Sequence, residues 1–77
     1  MTDPRLTIEE EAAVRLAFTA AELEAWELVV DQNMTHQAAA DRLGIKRQSV
    51  SDRMEAARAR QERTLRLLRS GRLQNFG

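Results

Sequence analysis

The chain contains no cysteine, so neither a disulfide framework nor a thiolate zinc site can stabilise its fold. An intracellular location is the easiest to reconcile with this absence. Long apolar runs are also missing: the longest are of the kind seen at Leu28, Val29 and Val30, and residues 1–5 lack the apolar block of a secretory signal. We therefore expect a soluble, cytoplasmic protein that does not enter a membrane.

Signals for β-structure are few, since the 77 residues include only three glycines, one proline and no tyrosine. Alanine, leucine, glutamate and arginine favour helix almost throughout. The composition predicts an all-α fold, a compact four-helix domain over residues 1–77 with a basic, flexible tail at about 70–77. The sequence offers no paired nucleophile and base and no glycine-rich phosphate loop, so we expect no enzyme, no cofactor and no metal site.

The formal net charge of zero hides an uneven distribution. Residues 1–41 carry two basic and nine acidic side chains, whereas residues 42–77 carry ten basic and three acidic ones. This division indicates that only the second half faces a polyanion. The alternative is that its arginines simply solvate a long helix, and composition alone does not separate the two.

Two capping-box sequences mark the starts of helices. Thr7 is followed three residues later by Glu10, which predicts a helix over Ile8–Ala17, and Thr19 is followed by Glu22, which begins the second helix. The apolar residues expected to form one buried face of this second helix are Leu23, Trp26, Val29 and Val30. The polar stretch after Val30 should end it.

Two further helices follow. Thr35 is a favourable N-cap residue and predicts a short third helix to about Leu43, which Gly44 should end in the left-handed conformation. The fourth helix should start near Arg47 and continue for about 23 residues, or about 35 Å. One side of it carries a stripe of apolar residues in which Gln61 is the one polar member: Val50, Met54, Ala57, Gln61, Leu65 and Leu68. Because this length exceeds a trihelical core, Leu65 and Leu68 either pack on the first helix or meet a second copy.

Residues 35–54 have the features of a helix-turn-helix. Two helices that cross steeply need a small residue where their backbones approach, which is Ala40, and a glycine at the turn, which is Gly44. The apolar residues that would hold the crossing angle are Leu43, Ile45, Val50 and Met54. The residues expected on the outward side are Gln48, Ser51 and Asp52.

This segment resembles the helix-turn-helix of region 4 of primary sigma factors and of LuxR-type regulators, over roughly residues 18–60. The matching residues are the Thr35 cap, the Ala39-Ala40 pair, the Leu43-Gly44-Ile45 turn, the Ser49-Val50 pair, and the entry Phe18-Thr19 with Glu22. Two positions depart from the family pattern. Ala38 replaces a glutamate, and Lys46 replaces the serine that caps the recognition helix.

The resemblance implies that the fourth helix enters the major groove of double-stranded DNA with its first turns against the base edges. The base-reading residues would be Arg47, Gln48, Ser51 and Asp52. Asp52 either accepts a hydrogen bond from cytosine or pairs with a neighbouring arginine. The phosphate contacts would be Thr35, Lys46, Arg53 and Arg58. We expect a small bacterial or phage transcriptional regulator, a homodimer in which Leu65 and Leu68 form the contact.

Three alternatives stay open. The turn can be a coincidence in an ordinary trihelical domain. Phage small terminase subunits also join a compact helix-turn-helix to an oligomerising helix, so the chain can be a DNA-packaging subunit. A sigma-like module can instead bind RNA polymerase through its acidic half. His36 has no second imidazole or thiol to share a metal with, and we expect it to be a polar surface residue, with Trp26 in the core.

Overall fold

The computed structural model describes residues 6–74 of the chain, and the side chains of residues 6–70. Helix α1 spans Ile8–Ala17 and α2 spans Ala20–Trp26, continued by a π-helical segment over Glu27–Asp31. Helix α3 spans His36–Leu43 and α4 spans Arg47–Gln74. No strand occurs between residues 6 and 74. The predicted all-α, four-helix fold is confirmed.

Both predicted capping boxes are formed. The Thr7 hydroxyl accepts from the Glu10 backbone N–H and the Glu10 carboxylate accepts from the Thr7 N–H, both at 3.0 Å. Thr19 and Glu22 repeat this arrangement at 3.2 and 2.9 Å. Each box satisfies two amides that a helix start leaves without an intrahelical partner, so these four residues fix where α1 and α2 begin.

The most buried apolar residues of the second helix are not the ones predicted. Ala25 and Leu28 are buried there, while the four residues assigned to that face are half-buried and pack against the core from its edge: Leu23, Trp26, Val29 and Val30. Two causes account for the difference. Alanine lets α2 approach α4 closely, and the π-helical turn, in which the Gln32 N–H donates to the Glu27 carbonyl at 2.9 Å, changes the angular spacing after Trp26.

Helix α4 is the longest helix, and α1, α2 and α3 each pack against it. Both α1 and α2 run antiparallel to α4, since Glu10 at the start of α1 meets Arg69 and Glu22 at the start of α2 meets Arg60. The molecule measures 49 × 19 × 15 Å, because α4 alone is about 42 Å long at a rise of about 1.5 Å per residue.

Helix α4 is longer than predicted. It continues through Gln74, so the loose tail expected from about residue 70 does not begin there. A glycine inside a helix costs only about 1 kcal/mol, which the arginine and leucine residues around Gly71 offset with their high helix propensity. The predicted tail residues 75–77 lie outside the described part of the chain.

The core has two parts. The first is formed by Ala25, Leu28, Ala39, Ala40, Val50 and Met54, and the second by Val14, Phe18 and Ala57. Trp26 packs against both, with its ring 5.1 Å from the Phe18 ring. Leu65 also packs against the second part, so it covers α1 of its own chain. Of the two surfaces considered for Leu65, the intramolecular one is therefore occupied, and Leu68 is half-buried.

Candidate nucleic-acid interface

The turn between α3 and α4 closes as a helix-turn-helix requires. Gly44 has φ 67° and ψ 34°, a left-handed backbone conformation that residues with a Cβ rarely adopt. The Gly44 N–H donates to the Asp41 carbonyl at 3.4 Å, and the next N–H, of Ile45, returns to the Ala40 carbonyl at 3.0 Å. Two carbonyls of the last turn of α3 are thereby satisfied, those of Ala40 and Asp41, and the predicted role of Gly44 is confirmed.

The crossing of α3 and α4 is held by small and apolar side chains. Ala39 and Ala40 have no exposed surface, which allows the helix backbones to approach. Val50 and Met54 of α4 are fully buried against them. Leu43 and Ile45, the other two residues predicted to hold the crossing angle, are half-buried and pack against the same core. The first two turns of α4 consequently have one buried side and one side that faces solvent.

Three of the four predicted base-reading residues are exposed on that outer side: Arg47, Gln48 and Asp52. The Gln48 amide donates to the Asp52 carboxylate at 2.9 Å. Asp52 is therefore paired with Gln48. The expected alternative, a pair with a neighbouring arginine, does not form among the described residues. This bond leaves the Gln48 carbonyl oxygen and one of its N–H groups available to a ligand.

Ser51, the fourth predicted base-reading residue, is placed differently from the prediction. It is half-buried, and its hydroxyl oxygen lies 2.9 Å from Nδ1 of His36. Position 51 follows Val50 on α4, at the edge of the buried stripe, and the first turn of α3 reaches across to it. Ser51 is thus held between the two helices, and the expectation that it points outward is wrong.

His36 is the residue of this surface that sequence reasoning missed. It is half-buried and not a free surface side chain. Together with Thr35, Gln37 and Arg47 it lines an open groove between the start of α3 and the start of α4. No sequence pattern links His36 to Ser51, since fifteen residues separate them and only the crossing angle of the helices joins them.

The predicted phosphate-binding residues do not all lie together. Thr35 caps α3, where its hydroxyl oxygen accepts from the Ala38 N–H at 3.0 Å and its O–H remains free to donate. Thr35, Lys46 and Arg58 are exposed. Arg53 is half-buried and lies about 120° around α4 from Arg47 at about 100° per residue. The turn between α3 and α4 therefore brings Thr35 and Arg47 to the same groove, while Arg53 is on another side of α4.

Lys46 precedes α4 and supplies only a backbone cap. Its carbonyl accepts from the N–H groups of Ser49 and Val50 at 3.0 and 3.3 Å. The ammonium group forms no hydrogen bond or ion pair with the described residues, and as a donor without an acceptor atom it cannot replace the serine hydroxyl of the family pattern. A cation at this end of a helix is unfavourable unless an anion lies nearby, because the N-terminus already carries partial positive charge.

Part of the positive charge of the second half is used inside the molecule. Arg60 binds the buried Glu22 at 2.7 Å, Arg69 binds the buried Glu10 at 3.1 Å, and a further pair joins Arg66 to Glu62 within α4. The basic residues of the described region 42–70 that form no ion pair are Arg42, Lys46, Arg47, Arg53, Arg58 and Arg63. No local sequence pattern predicts the two long-range pairs, because their partners are 38 and 59 residues apart in the chain.

The buried carboxylate of Glu22 is ionised by its partners. Burial alone would raise the pKa of this group, but the hydrogen bond from the Thr19 backbone N–H and the Arg60 guanidinium outweigh that effect, so the pKa of Glu22 is lowered. A second ion pair joins Arg15, in the last turn of α1, to Asp31, at the end of the π-helical segment. The bidentate hydrogen bond from Arg15, at 2.8 and 2.9 Å, lowers the pKa of Asp31 in spite of partial burial. Both carboxylates therefore hold helices together as anions.

Within residues 6–74, no helix is long and apolar enough to cross a membrane. The same part of the chain contains no group of three or more histidine, cysteine, aspartate and glutamate side chains arranged to hold a metal ion. Comparison of the chain with protein-family models, with curated proteins and with solved structures finds no match.

Proposed function

We propose that the chain binds double-stranded DNA through α3 and α4 and acts as a small bacterial or phage transcriptional regulator. The observation that supports this most is the helix-turn-helix closed by Gly44, with Arg47 and Gln48 exposed on the first turn of α4. In this proposal the first turns of α4 enter the major groove while α3 crosses the phosphate backbone.

The proposed base contacts come from the outer side of α4. Arg47 donates to guanine, and Gln48 binds adenine through its remaining N–H and its carbonyl oxygen. Asp52 holds the Gln48 amide in place through Oδ1, and its other carboxylate oxygen accepts from cytosine. Ser51 has a supporting role, because its hydroxyl is engaged by His36. Lys46, Thr35 and Arg58 bind phosphates, which orient the protein without selecting a sequence.

We further propose that two copies occupy two half-sites about one helical turn apart. Leu65 is not assigned to the contact between them, since it covers the second part of the core in its own chain. Leu68 is half-buried, and Leu67, about 100° around the helix from it, is 69% exposed. The C-terminal part of α4 therefore retains apolar surface for a second copy.

The experiment that tests DNA binding compares the wild type with a double variant, Arg47→Ala with Gln48→Ala. Duplexes are selected from a random pool and then titrated, beside unselected duplexes, at two salt concentrations. Each bidentate base contact is worth about 1–3 kcal/mol, so the double variant should lose the preference for selected duplexes. Binding that persists without preference reflects the phosphate contacts, and it should weaken steeply with salt.

A matched control is Arg63→Ala, which removes the same charge from an exposed position about three turns beyond Asp52 and should keep the preference. A wild-type chain that binds no duplex at low salt would overturn the proposal. Mass measured in the same buffer separates a regulator from a small-terminase-like packaging subunit, since a dimer supports the former and a ring of many copies the latter. Binding to RNA polymerase without any DNA affinity would support a sigma-like polymerase-binding module instead.

A further inference from the structure

The hydrogen bond between His36 and Ser51 is the one side-chain hydrogen bond that joins α3 to α4 among the described residues. It lies beside the groove lined by Thr35, His36, Gln37 and Arg47, on the side of the helix-turn-helix that we propose faces DNA. His36 is also the only histidine of the chain, and histidine is the side chain whose ordinary titration falls between pH 5 and 8.

We propose that a DNA backbone phosphate binds in this groove and that its binding is coupled to protonation of His36. This inference rests on the proposed DNA-binding function and adds to it a phosphate contact and a dependence on pH. It also adds Gln37, whose amide already donates to Asp41 at 3.0 Å and has a second N–H to offer.

Protonation changes the imidazole in two ways. In the neutral ring, Nδ1 either donates to or accepts from the Ser51 hydroxyl, and Nε2 takes the opposite role. In the imidazolium both nitrogens donate, so Ser51 must accept through its oxygen, and Nε2–H becomes a donor with positive charge. The bond to Ser51 fixes the ring in the interface between the helices, and a phosphate in the groove therefore meets a positioned cation.

The charges around the groove favour uptake of the proton upon binding. Arg47 of α4 lines the same groove. A phosphate bound there attracts positive charge both at the Arg47 guanidinium and at the His36 ring, so its binding favours the imidazolium. The nearest carboxylates along the two helices are Asp41, which accepts from Gln37, and Asp52, which accepts from Gln48, with Glu55 one turn beyond Ser51. Asp31, before α3, is held by Arg15, and Lys46 adds a second cation beside Arg47.

The linkage has a defined size. One proton taken up on binding changes the association constant by at most about tenfold per pH unit. An added contact between an imidazolium and a phosphate should strengthen binding by about three- to tenfold between pH 7.5 and pH 5.5, as expected for a partly exposed charge-assisted hydrogen bond. Because the contact is to phosphate, it should be equal for selected and random duplexes, and it should steepen the salt dependence by about 0.9 in log–log slope.

The test is a titration of random-sequence and selected duplexes from pH 5.5 to 7.5 with the wild type, His36→Gln and His36→Arg. We expect His36→Gln to bind at every pH as the wild type does at pH 7.5, and His36→Arg to lose the dependence on pH while it binds tightly throughout. Thermal unfolding monitored by circular dichroism confirms that each variant is folded at the pH used.

A direct measurement complements the variants. The NMR titration of the His36 Cε1–H signal should move to higher pH when duplex is added, and Ser51→Ala, which frees the ring, should weaken the dependence of binding on pH. If the wild type binds duplexes equally at all pH values, or if His36→Gln keeps the wild-type dependence, the inference is wrong while DNA binding stands. If no duplex binds at any pH, the proposed function itself fails.

Discussion

Glu22 and Arg60 are separated by 38 residues, and one carboxylate oxygen of Glu22 accepts both from Arg60 Nε at 2.7 Å and from the Thr19 backbone N–H at 2.9 Å. The residue that begins α2 is thus also the residue that attaches α2 to α4. Glu10 has the same two roles at the start of α1, but through separate oxygens: Oε1 accepts from the Thr7 backbone N–H and Oε2 from Arg69 Nε. These two buried carboxylates attach the starts of α1 and α2 to positions on α4 that are nine residues apart, Arg69 and Arg60.

Substitution of Glu22 should separate its two roles. Glu22→Gln keeps a capping box, since glutamine serves at that position, but loses the charge that faces Arg60. We expect it to lower the free energy of unfolding by about 1 kcal/mol, and Glu22→Ala, which also loses the cap, by about 2 kcal/mol. The ion-pair part is small because the Arg60 side chain is 37% exposed. Urea unfolding followed by circular dichroism measures both.

The matched control is Glu62→Gln, which breaks the Arg66 ion pair between side chains that are about three-quarters exposed. We expect it to change stability by less than about 0.5 kcal/mol. Equal losses for Glu22→Gln and Glu62→Gln would show that burial of the Glu22 carboxylate has no energetic consequence.

Acid should destabilise the fold through Glu22 and Asp31. Both carboxyl groups have a lowered pKa in the folded protein. Such a group contributes stability that is fully present above its unfolded pKa and is lost as pH falls through its folded pKa. We expect the free energy of unfolding to decline from about pH 5 to below about pH 3. Arg15→Met removes the partner of Asp31 and should reduce this decline, as measured by urea unfolding at successive pH values.

Arg63→Met serves as the control for that measurement, because Arg63 is exposed and forms no ion pair among the described residues. It should leave the pH dependence of stability unchanged. A wild-type slope in Arg15→Met would mean that Asp31 does not contribute through Arg15.

Gly44 should be replaceable only at a cost. A Cβ at this position would meet nothing within 4 Å, so the cost arises from the left-handed backbone and not from a clash. We expect Gly44→Ala to destabilise the protein by about 1–2 kcal/mol, and Gly44→Asn by less, since asparagine tolerates this conformation. Thermal unfolding measures both, and an alanine variant as stable as the wild type would contradict the assignment.

Leu65 and Leu67 should differ although they are two residues apart. Leu65 packs against the core cluster formed by Val14, Phe18 and Ala57, whereas Leu67 is 69% exposed. Because Leu65 is only half-buried, we expect Leu65→Ala to cost about 1–2 kcal/mol, less than a fully buried leucine, and Leu67→Ala to change stability by less than about 0.5 kcal/mol. Light scattering should give the wild-type mass for Leu65→Ala. A lower mass without loss of stability would place Leu65 between chains.

Local relations along the chain were predictable because they depend on residues three or four positions apart. The two capping boxes, the Thr35 cap and the left-handed Gly44 follow from side-chain reach and backbone sterics, and the structure contains all of them. The buried face of α2 was not predictable in the same way. A π-helical turn breaks the uniform period on which that prediction depends.

The sequence by itself determined an all-α chain with its helix starts, its turn and the apolar stripe of α4, since propensity, capping and periodicity act within a few residues. Only the tertiary structure decided which arginines are internal and which remain at the surface. Many arginines along α4 are chemically equivalent, and the positions at which α1, α2 and α3 pack select Arg60 and Arg69 for buried carboxylates. The same packing brings His36 to Ser51, a contact that depends on the crossing of two helices.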